Sequence, residues 1–331
     1  MKVLITDPVD DICISIIKAS GLEYQYIPES GIKEKLDAIQ DAHGLIVRSG
    51  TIVDEKMLDS ASNLKVIGRA GVGVDNIDII NATRKGVVVM NTPDVNTISA
   101  AEHAIALILT ISRNPHIGHY DIINGIWSRN NLIGTELQNK IIGIIGLGKI
   151  GREVMERCLS FKMKIMGYDP FINKELFSQS DIEITDLDNV VQKADYLTLH
   201  LPLNDKTRNL FDFNRLKMMK KSAKIINVAR GGIINEHDLS KALNQGLISG
   251  AAIDVFEQEP LNKNNPLLSA KNIVLTPHLG ASTIEAKKGV SRAISEQIRD
   301  YLLDSKLANA INMPISNMSL LNDIKPFLKL G

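Results

Sequence analysis

Apolar residues in this chain come in short blocks, separated by longer segments with helical spacing. Lys2 to Thr6, Glu23 to Ile27, Gly44 to Val47, Leu64 to Gly68 and Val87 to Met90 read as strands. Between them, Asp10 to Ala19, Ile32 to Gln40, a stretch near Asp54 and Asn76 to Lys85 read as helices, and Pro8 ends the first strand. Strands alternating with helices predict a parallel sheet covered by helices on its faces.

A second block follows the same rule. Ile141 to Ile145 is an isoleucine-rich run expected to be buried on both faces. After it, Val154, Cys158 and Leu159 lie at helical spacing, and Met163 to Gly167 reads as the next strand. Strands are then expected at Asp195 to Leu201, Lys224 to Val228, Ser249 to Val255 and Ile273 to Leu275. Helices are expected at Leu187 to Lys193, Phe213 to Met219, Glu236 to Asn244 and Ser282 to Asp304. Between the two blocks, an alanine-rich helix runs from Thr97 to about Ser112. It is apolar on most sides, which predicts burial at the junction of the two units. Thr97 or Ser99 is its candidate N-cap, with Glu102 completing a capping box.

The first strand of the second block runs into Gly146-Leu147-Gly148-Lys149-Ile150-Gly151, and the next strand ends at Asp169, 18 residues past Gly151. Strand, glycine turn, helix, strand and acid together make a dinucleotide site. The first glycine allows the tight turn, the second a close approach to a pyrophosphate, and the third close packing of helix on strand. The positive end of the helix faces the phosphates. Asp169 is spaced to bond a ribose 2′-hydroxyl and would repel a 2′-phosphate, and Pro170 follows it rather than an arginine. NAD is therefore the expected cofactor.

Composition narrows the alternatives. The 331 residues suffice for two domains, and 38 basic residues balance 38 acidic ones, so neither nucleic acid nor an anionic membrane is an indicated partner. Cys13 and Cys158 read as buried thiols of a reducing compartment, and no metal site is expected. The N-terminus carries too short an apolar run for a signal peptide, which makes the cytoplasm the default location.

Ligands of open parallel sheets sit beyond the carboxyl ends of the strands. Three successive strands of the second block each lead to one distinctive side chain: Arg230, then Glu259, then His278. Oxidation of a 2-hydroxy acid needs a base for the hydroxyl proton, and histidine suits that task. A carboxylate on its other ring nitrogen fixes the tautomer and stabilises the imidazolium. An arginine can clamp the substrate carboxylate and polarise the developing carbonyl. His43, His103, His116, His119 and His237 lack such a setting, whereas His200, followed by Leu201 and Pro202, is placed to line the cofactor pocket. Arg48 and Arg69 each end a strand of the first block, and two cations there suit a phosphate.

The stretches GRAGVGVDNID, NTPDVNTISAAEHAIAL, GLGKIGREV, ARGGIINE, AAIDVFEQEP and TPHLGAST resemble the D-isomer-specific 2-hydroxyacid dehydrogenases over nearly the whole chain. The resemblance implies an α/β fold of two Rossmann-like or flavodoxin-like parallel-sheet domains with an interdomain active-site cleft. The substrate-binding domain would comprise residues 1–96 plus 285–331, and the NAD-binding domain residues 97–284. It implies that Arg230, Glu259 and His278 are catalytic, and that Asp254 holds the nicotinamide carboxamide. Val72, Lys149, Ile150, Leu201, Val228, Ala229 and His278 to Ala281, including Gly280, would line the NAD site. Gly71, Val72 and Gly73, with Asn96 nearby, would bind the substrate carboxylate. Arg129, from the Trp127-Ser128-Arg129 stretch, would reach a phosphorylated 2-hydroxy acid from the partner subunit of a homodimer built through the NAD-binding domains. Members often carry a basic run there, but here Asn130-Asn131 follow. The tail Asn309 to Gly331 resembles the join to the regulatory domains of longer members, so feedback through such a domain is not expected of this chain. Another 2-hydroxy acid, or a non-catalytic NAD-binding scaffold of the same fold, is the alternative.

Overall fold

The computed structural model describes residues 1–172 and 182–313. Residues 314–331, which hold most of the tail singled out above, lie outside the described residues. The chain forms two units, one from residues 1–96 together with the chain from Thr283 onward, the other from residues 97–282.

In the first unit, strands β1 (Lys2–Ile5), β2 (Glu23–Tyr26), β3 (Gly44–Val47), β4 (Val66–Arg69) and β5 (Val88–Met90) alternate with helices α1 (Asp11–Ala19), α2 (Ile32–Ala38), α3 (Glu55–Ser60) and α4 (Ile79–Arg84). All pairs are parallel, in the order β2-β1-β3-β4-β5. This is the flavodoxin-like order.

The second unit contains α5 (Thr97–Arg113), α6 (Pro115–Ile123), β6 (Ile141–Ile145), α7 (Lys149–Ser160), β7 (Lys164–Tyr168), β8 (Ile182–Ile184), α8 (Leu187–Lys193), β9 (Tyr196–Leu199), α9 (Phe213–Met218), β10 (Lys224–Asn227), α10 (Glu236–Asn244), β11 (Gly250–Ile253) and β12 (Ile273–Leu275). Its parallel sheet runs β12-β11-β10-β9-β6-β7-β8. The order from β8 to β11 is that of the Rossmann fold, and it reverses between β6 and β9. The long helix α11 (Ile284–Asp304) then returns to the first unit.

Burial explains why the strands read as unbroken apolar runs. In the first unit Val3, Ile5, Ile46, Val66, Val88 and Met90 share one face with Cys13, Ile17, Ile294 and Ile298 of α1 and α11. Leu4, Leu45, Val47, Ile67 and Val89 pack on the other face with Met57, Leu58 and Ala82 of α3 and α4. Successive residues of a strand point to opposite faces, so a sheet covered on both sides needs apolar residues at every position. Gly68 lets α11 approach β4 closely: a Cβ there would lie 2.6 Å from Ile294 Cγ1. Residues 309–312 cover the outer edge at β5. Ile311 N donates to Val89 O, and the Asn312 side chain accepts from Val89 N and donates to Val87 O. An otherwise open edge is thereby paired. In the second unit Ala101, Ala104, Leu107, Ile108 and Ile111 of α5 pack with α7 and one face of the sheet, while α8, α9 and α10 cover the other.

Several expectations change. Helix α5 begins at Thr97 as expected, so Ser99 is its third residue and not its N-cap. Glu102 approaches Arg157 at 3.7 Å. Leu159 is largely exposed, because Val154, Met155 and Cys158 already fill the core face of α7 and the next residue lies a quarter-turn away. Helix α4 is shorter than expected, since Asp78 caps it by accepting from Asn81 N. Helix α6 and strand β8 were not anticipated. Helix α6 buries no residue and so has no core stripe, and β8 is a three-residue edge strand. Cys13 and Cys158 are free buried thiols, each pushed up to about 12 by burial.

Replacing Ile294 by alanine removes the side chain that fills the space over Gly68 and is expected to cost about 2–5 kcal/mol. Ile284→Ala, 81% exposed on the same helix, is expected to stay within about 0.5 kcal/mol. Denaturant titration compares the two, and equal midpoints would show that α11 is not a core element of its unit.

Candidate functional site

In the second unit the glycine loop joins β6 to α7, at the point where strand order reverses. Gly146 has φ +95°, and a Cβ on it would lie 2.4 Å from His200 O. A Cβ at Gly151 would meet Gly146 O at 2.0 Å, so the helix packs onto the turn as only glycine permits. At Gly148, by contrast, a Cβ would meet nothing among the described residues within 4 Å. That open flank lies at the N-cap of α7, and no side chain caps the helix. Lys149 and Ile150 form the first helical turn. Beyond β7, the Asp169 carboxylate accepts from Leu147 N and from Phe171 N, both at 2.9 Å, which ties the acid to the glycine turn. One acceptor bond on each oxygen leaves lone pairs for ribose hydroxyls. An open glycine, a helix start that no side chain caps and an anchored acid fit a dinucleotide. Leu201 and Pro202 follow β9 beside the loop, and Leu201 Cδ2 would lie 3.1 Å from a Cβ at Gly146. Burial pushes the His200 imidazole down to about 4, so it is neutral at pH 7, with Nε2 3.0 Å from Thr198 Oγ1.

The ends of β10, β11 and β12 carry the expected trio. After β10, the buried Asn227 side chain accepts from Ala229 N at 3.0 Å and donates to Arg230 O at 2.9 Å, clamping the turn that follows Val228. Arg230 Nη1 donates to Ala229 O at 2.7 Å. Gly231 brings this turn onto the Phe256–Glu257 backbone, for a Cβ there would lie 1.9 Å from Phe256 O. In that second turn Glu259 Oε1 accepts from Phe256 N at 2.9 Å, while Glu259 Oε2 lies 2.6 Å from His278 Nδ1. Partial burial opposes the charge on Glu259, but the His278 ring and the Phe256 amide outweigh it and hold the carboxyl below its usual range. His278 has φ +54°, an unusual conformation for a non-glycine residue, and its side chain is 45% exposed.

Asp254, at the end of β11, explains how that conformation is held. It is completely buried. Its main-chain carbonyl accepts from His278 N at 2.8 Å. Its Oδ1 accepts from Leu279 N (2.8 Å) and Thr276 Oγ1 (2.5 Å), and its Oδ2 from Gly280 N (2.9 Å). Three consecutive amides thus converge on one residue. Gly280 also lies close to Val228, and Ala281 follows it half-buried. A further partner, His103 Nε2 of α5, lies 3.1 Å from Oδ1. His103 was expected to lack any such setting, and its 151-residue separation from Asp254 leaves no local signal. Burial raises the Asp254 carboxyl, but these hydrogen bonds outweigh it and keep it ionised.

The first unit holds the other expected residues. Arg48 begins a turn clamped from two sides. The buried Asp7 carboxylate accepts from Arg48 N (2.6 Å), Thr51 N (3.1 Å) and Thr51 Oγ1 (2.6 Å). The Asn76 amide donates to Arg48 O (2.7 Å) and Thr51 O (2.6 Å). Arg69 ends β4, and its guanidinium lies where a side chain on Gly71 would be, 1.6 Å from the Cβ position. Gly71 O accepts from Thr92 N and Val72 O from Asn91 Nδ2, so this backbone is pinned ahead of Gly73. Asn96 Oδ1 is buried without a hydrogen-bond partner among the described residues. Arg129 is exposed in a short 3₁₀ turn (Arg129–Asn131) of the second unit. Among the described residues no group of three His, Cys, Asp or Glu side chains could hold a metal ion, and no helix is long and apolar enough to cross a membrane.

Residues 105–280 match the family described as D-isomer specific 2-hydroxyacid dehydrogenase, NAD binding domain. D-3-phosphoglycerate dehydrogenase of Methanocaldococcus jannaschii is 44% identical over 100% of this chain and 63% of its own length. The human protein of that name is 39% identical over 100% of this chain and 62% of its own. The chain thus spans about three fifths of the length of such curated relatives. Among solved structures, the NAD-dependent formate dehydrogenase of Staphylococcus aureus in complex with NAD superposes with a TM-score of 0.85 at 27% identity, covering 94% of this chain and 99% of that one. With the glycine loop, the anchored acid and the strand-end residues in place, the chain belongs to the D-isomer specific 2-hydroxyacid dehydrogenase family, with an NAD-binding domain in its second unit.

Proposed function

We propose that the chain oxidises 3-phospho-D-glycerate at C2 to 3-phosphohydroxypyruvate with NAD, the first step of phosphorylated L-serine synthesis. The observation that carries the chemistry is the 2.6 Å Glu259–His278 pair, exposed at the end of the sheet that bears the glycine loop. The substrate reading is supported by Arg48 and Arg69 at strand ends and by relatives named for this reaction.

The chemistry that bound NAD would supply is that of a hydride acceptor for C2. His278 Nε2 takes the hydroxyl proton, since Nδ1 is committed to Glu259. Glu259, held ionised, stabilises the imidazolium that results. Arg230 grips the substrate carboxylate and meets charge developing on the C2 oxygen. Arg48 and Arg69 supply the phosphate grip, with the Gly71–Gly73 backbone and Asn96 at the carboxylate. Asp254, buried behind the turn, would act on the nicotinamide side through the Leu279 and Gly280 amides that it fixes. The Asn130-Asn131 pair after Arg129 favours a second reading, a smaller unphosphorylated D-2-hydroxy acid.

The active form is a homodimer through the NAD-binding domains. The support is an apolar surface with no covering partner among the described residues. Ile122 and Ile123 of α6, Trp127 (81% exposed) and Ile133 (85% exposed) follow one another along an exposed stretch, to which Ser128 is tied by its hydrogen bond to Asp121. Arg129 sits within that stretch, placed to serve a partner's site.

His278→Gln is expected to lower turnover about 100- to 10,000-fold while leaving NADH binding intact. Rates equal to wild type would remove His278 from the base role. A panel of 3-phosphoglycerate, D-glycerate, D-lactate and 2-hydroxyglutarate, read by NADH formation, is expected to favour the phosphorylated acid. Arg48→Ala should abolish that preference. A clear win for D-glycerate would leave the trio in place and refute the phosphate assignment. Trp127→Asp is expected to shift the protein to a monomer in sedimentation, whereas an unchanged dimer would place the interface elsewhere.

A further inference from the structure

The hydrogen bonds around Asp254 are unequal, and His103 accounts for part of the difference. The Asp254 side chain is an acceptor only when ionised, so the 3.1 Å contact requires His103 to carry its hydrogen on Nε2. The Thr276 hydroxyl already donates to Oδ1, and its oxygen lies 3.3 Å from the same Nε2. His103, Thr276 and Leu279 N thereby load Oδ1 with three donors, against the single Gly280 N–H on Oδ2. His103 is only 17% exposed. It stands on a helix whose neighbouring positions Ala100, Ala101, Ala104 and Leu107 are buried and apolar. A polar ring in that setting is costly unless its hydrogen bond is made.

We propose that His103 is a positioning residue for cofactor binding. By donating to Asp254 Oδ1 it fixes the orientation of the carboxylate, so that the Thr276–Gly280 backbone bonded to that carboxylate keeps the conformation that would line the nicotinamide side and from which His278 works. His103 touches neither ligand and acts through Asp254. The inference deepens, and rests on, the reading of this chain as an NAD-dependent dehydrogenase.

The test compares His103→Leu with His103→Gln, whose amide nitrogen reaches the place of Nε2. NADH affinity is read by fluorescence titration without substrate, together with kcat and the two KM values. The leucine variant is expected to bind NADH about 10-fold more weakly and to raise KM for NAD similarly, with KM for the hydroxy acid within about twofold of wild type. The glutamine variant should recover NADH binding to within about threefold. A purely structural role would lower the melting temperature and leave this split unmade. Wild-type NADH affinity in the leucine variant would overturn the proposal. So would a folded glutamine variant as weak as a tenfold loss. Because the titration needs no turnover, it decides on His103 even if the substrate panel finds no activity and the enzymatic reading falls.

Discussion

A buried charge has to be satisfied completely or not be there, and in this chain that constraint falls on Asp254. Its carboxylate has no contact with solvent, so each donor it lacks would leave part of an ion unsolvated in a poorly polarisable interior. The donors that meet the demand come from three places: the backbone after β12, the Thr276 hydroxyl and the ring of His103 on α5. Satisfying the charge therefore dictates the path of the chain through residues 276–280. The left-handed conformation of His278, unfavourable by itself, persists because the amides on either side of its Cα are already committed to Asp254.

The same device recurs at the turns that follow other strands. Asn227 holds the turn of Arg230 through one amide and one carbonyl. Asp7 and Asn76 hold the turn of Arg48 from opposite sides. In each case a buried polar side chain replaces the ladder partners that the backbone loses when it leaves the sheet. The arginine side chain that follows takes no part in holding the turn's amides. Turns of this kind are rigid without being regular, which is what the proposed anion grip would need.

Glycines set where backbones touch. In the dinucleotide loop Gly146 and Gly151 are required by contacts within the protein, while Gly148 is required by none of them. A glycine that the fold does not need marks the place where a ligand does.

Much of this was legible in the sequence. The period of apolar residues located the strands and most helices, because backbone propensity and burial pattern depend on neighbours a few residues away. The glycine loop and its acid could be read for the same reason, as could Arg230, Glu259 and His278, since strand ends are visible and ligands lie beyond them. Helix α6 and strand β8 were not legible: the one buries nothing within its chain and the other is a short edge. Helix α5 starts at Thr97, where the apolar pattern puts it, but with Thr97 already helical neither Thr97 nor Ser99 is the residue that caps it. The sequence by itself determined the alternation of elements, the cofactor loop and the identity of the polar residues at the strand ends. Only the tertiary structure decided which of those residues meet. Bonds such as His103 to Asp254 span 151 residues and exist only once separate strand ends and a helix have been packed side by side.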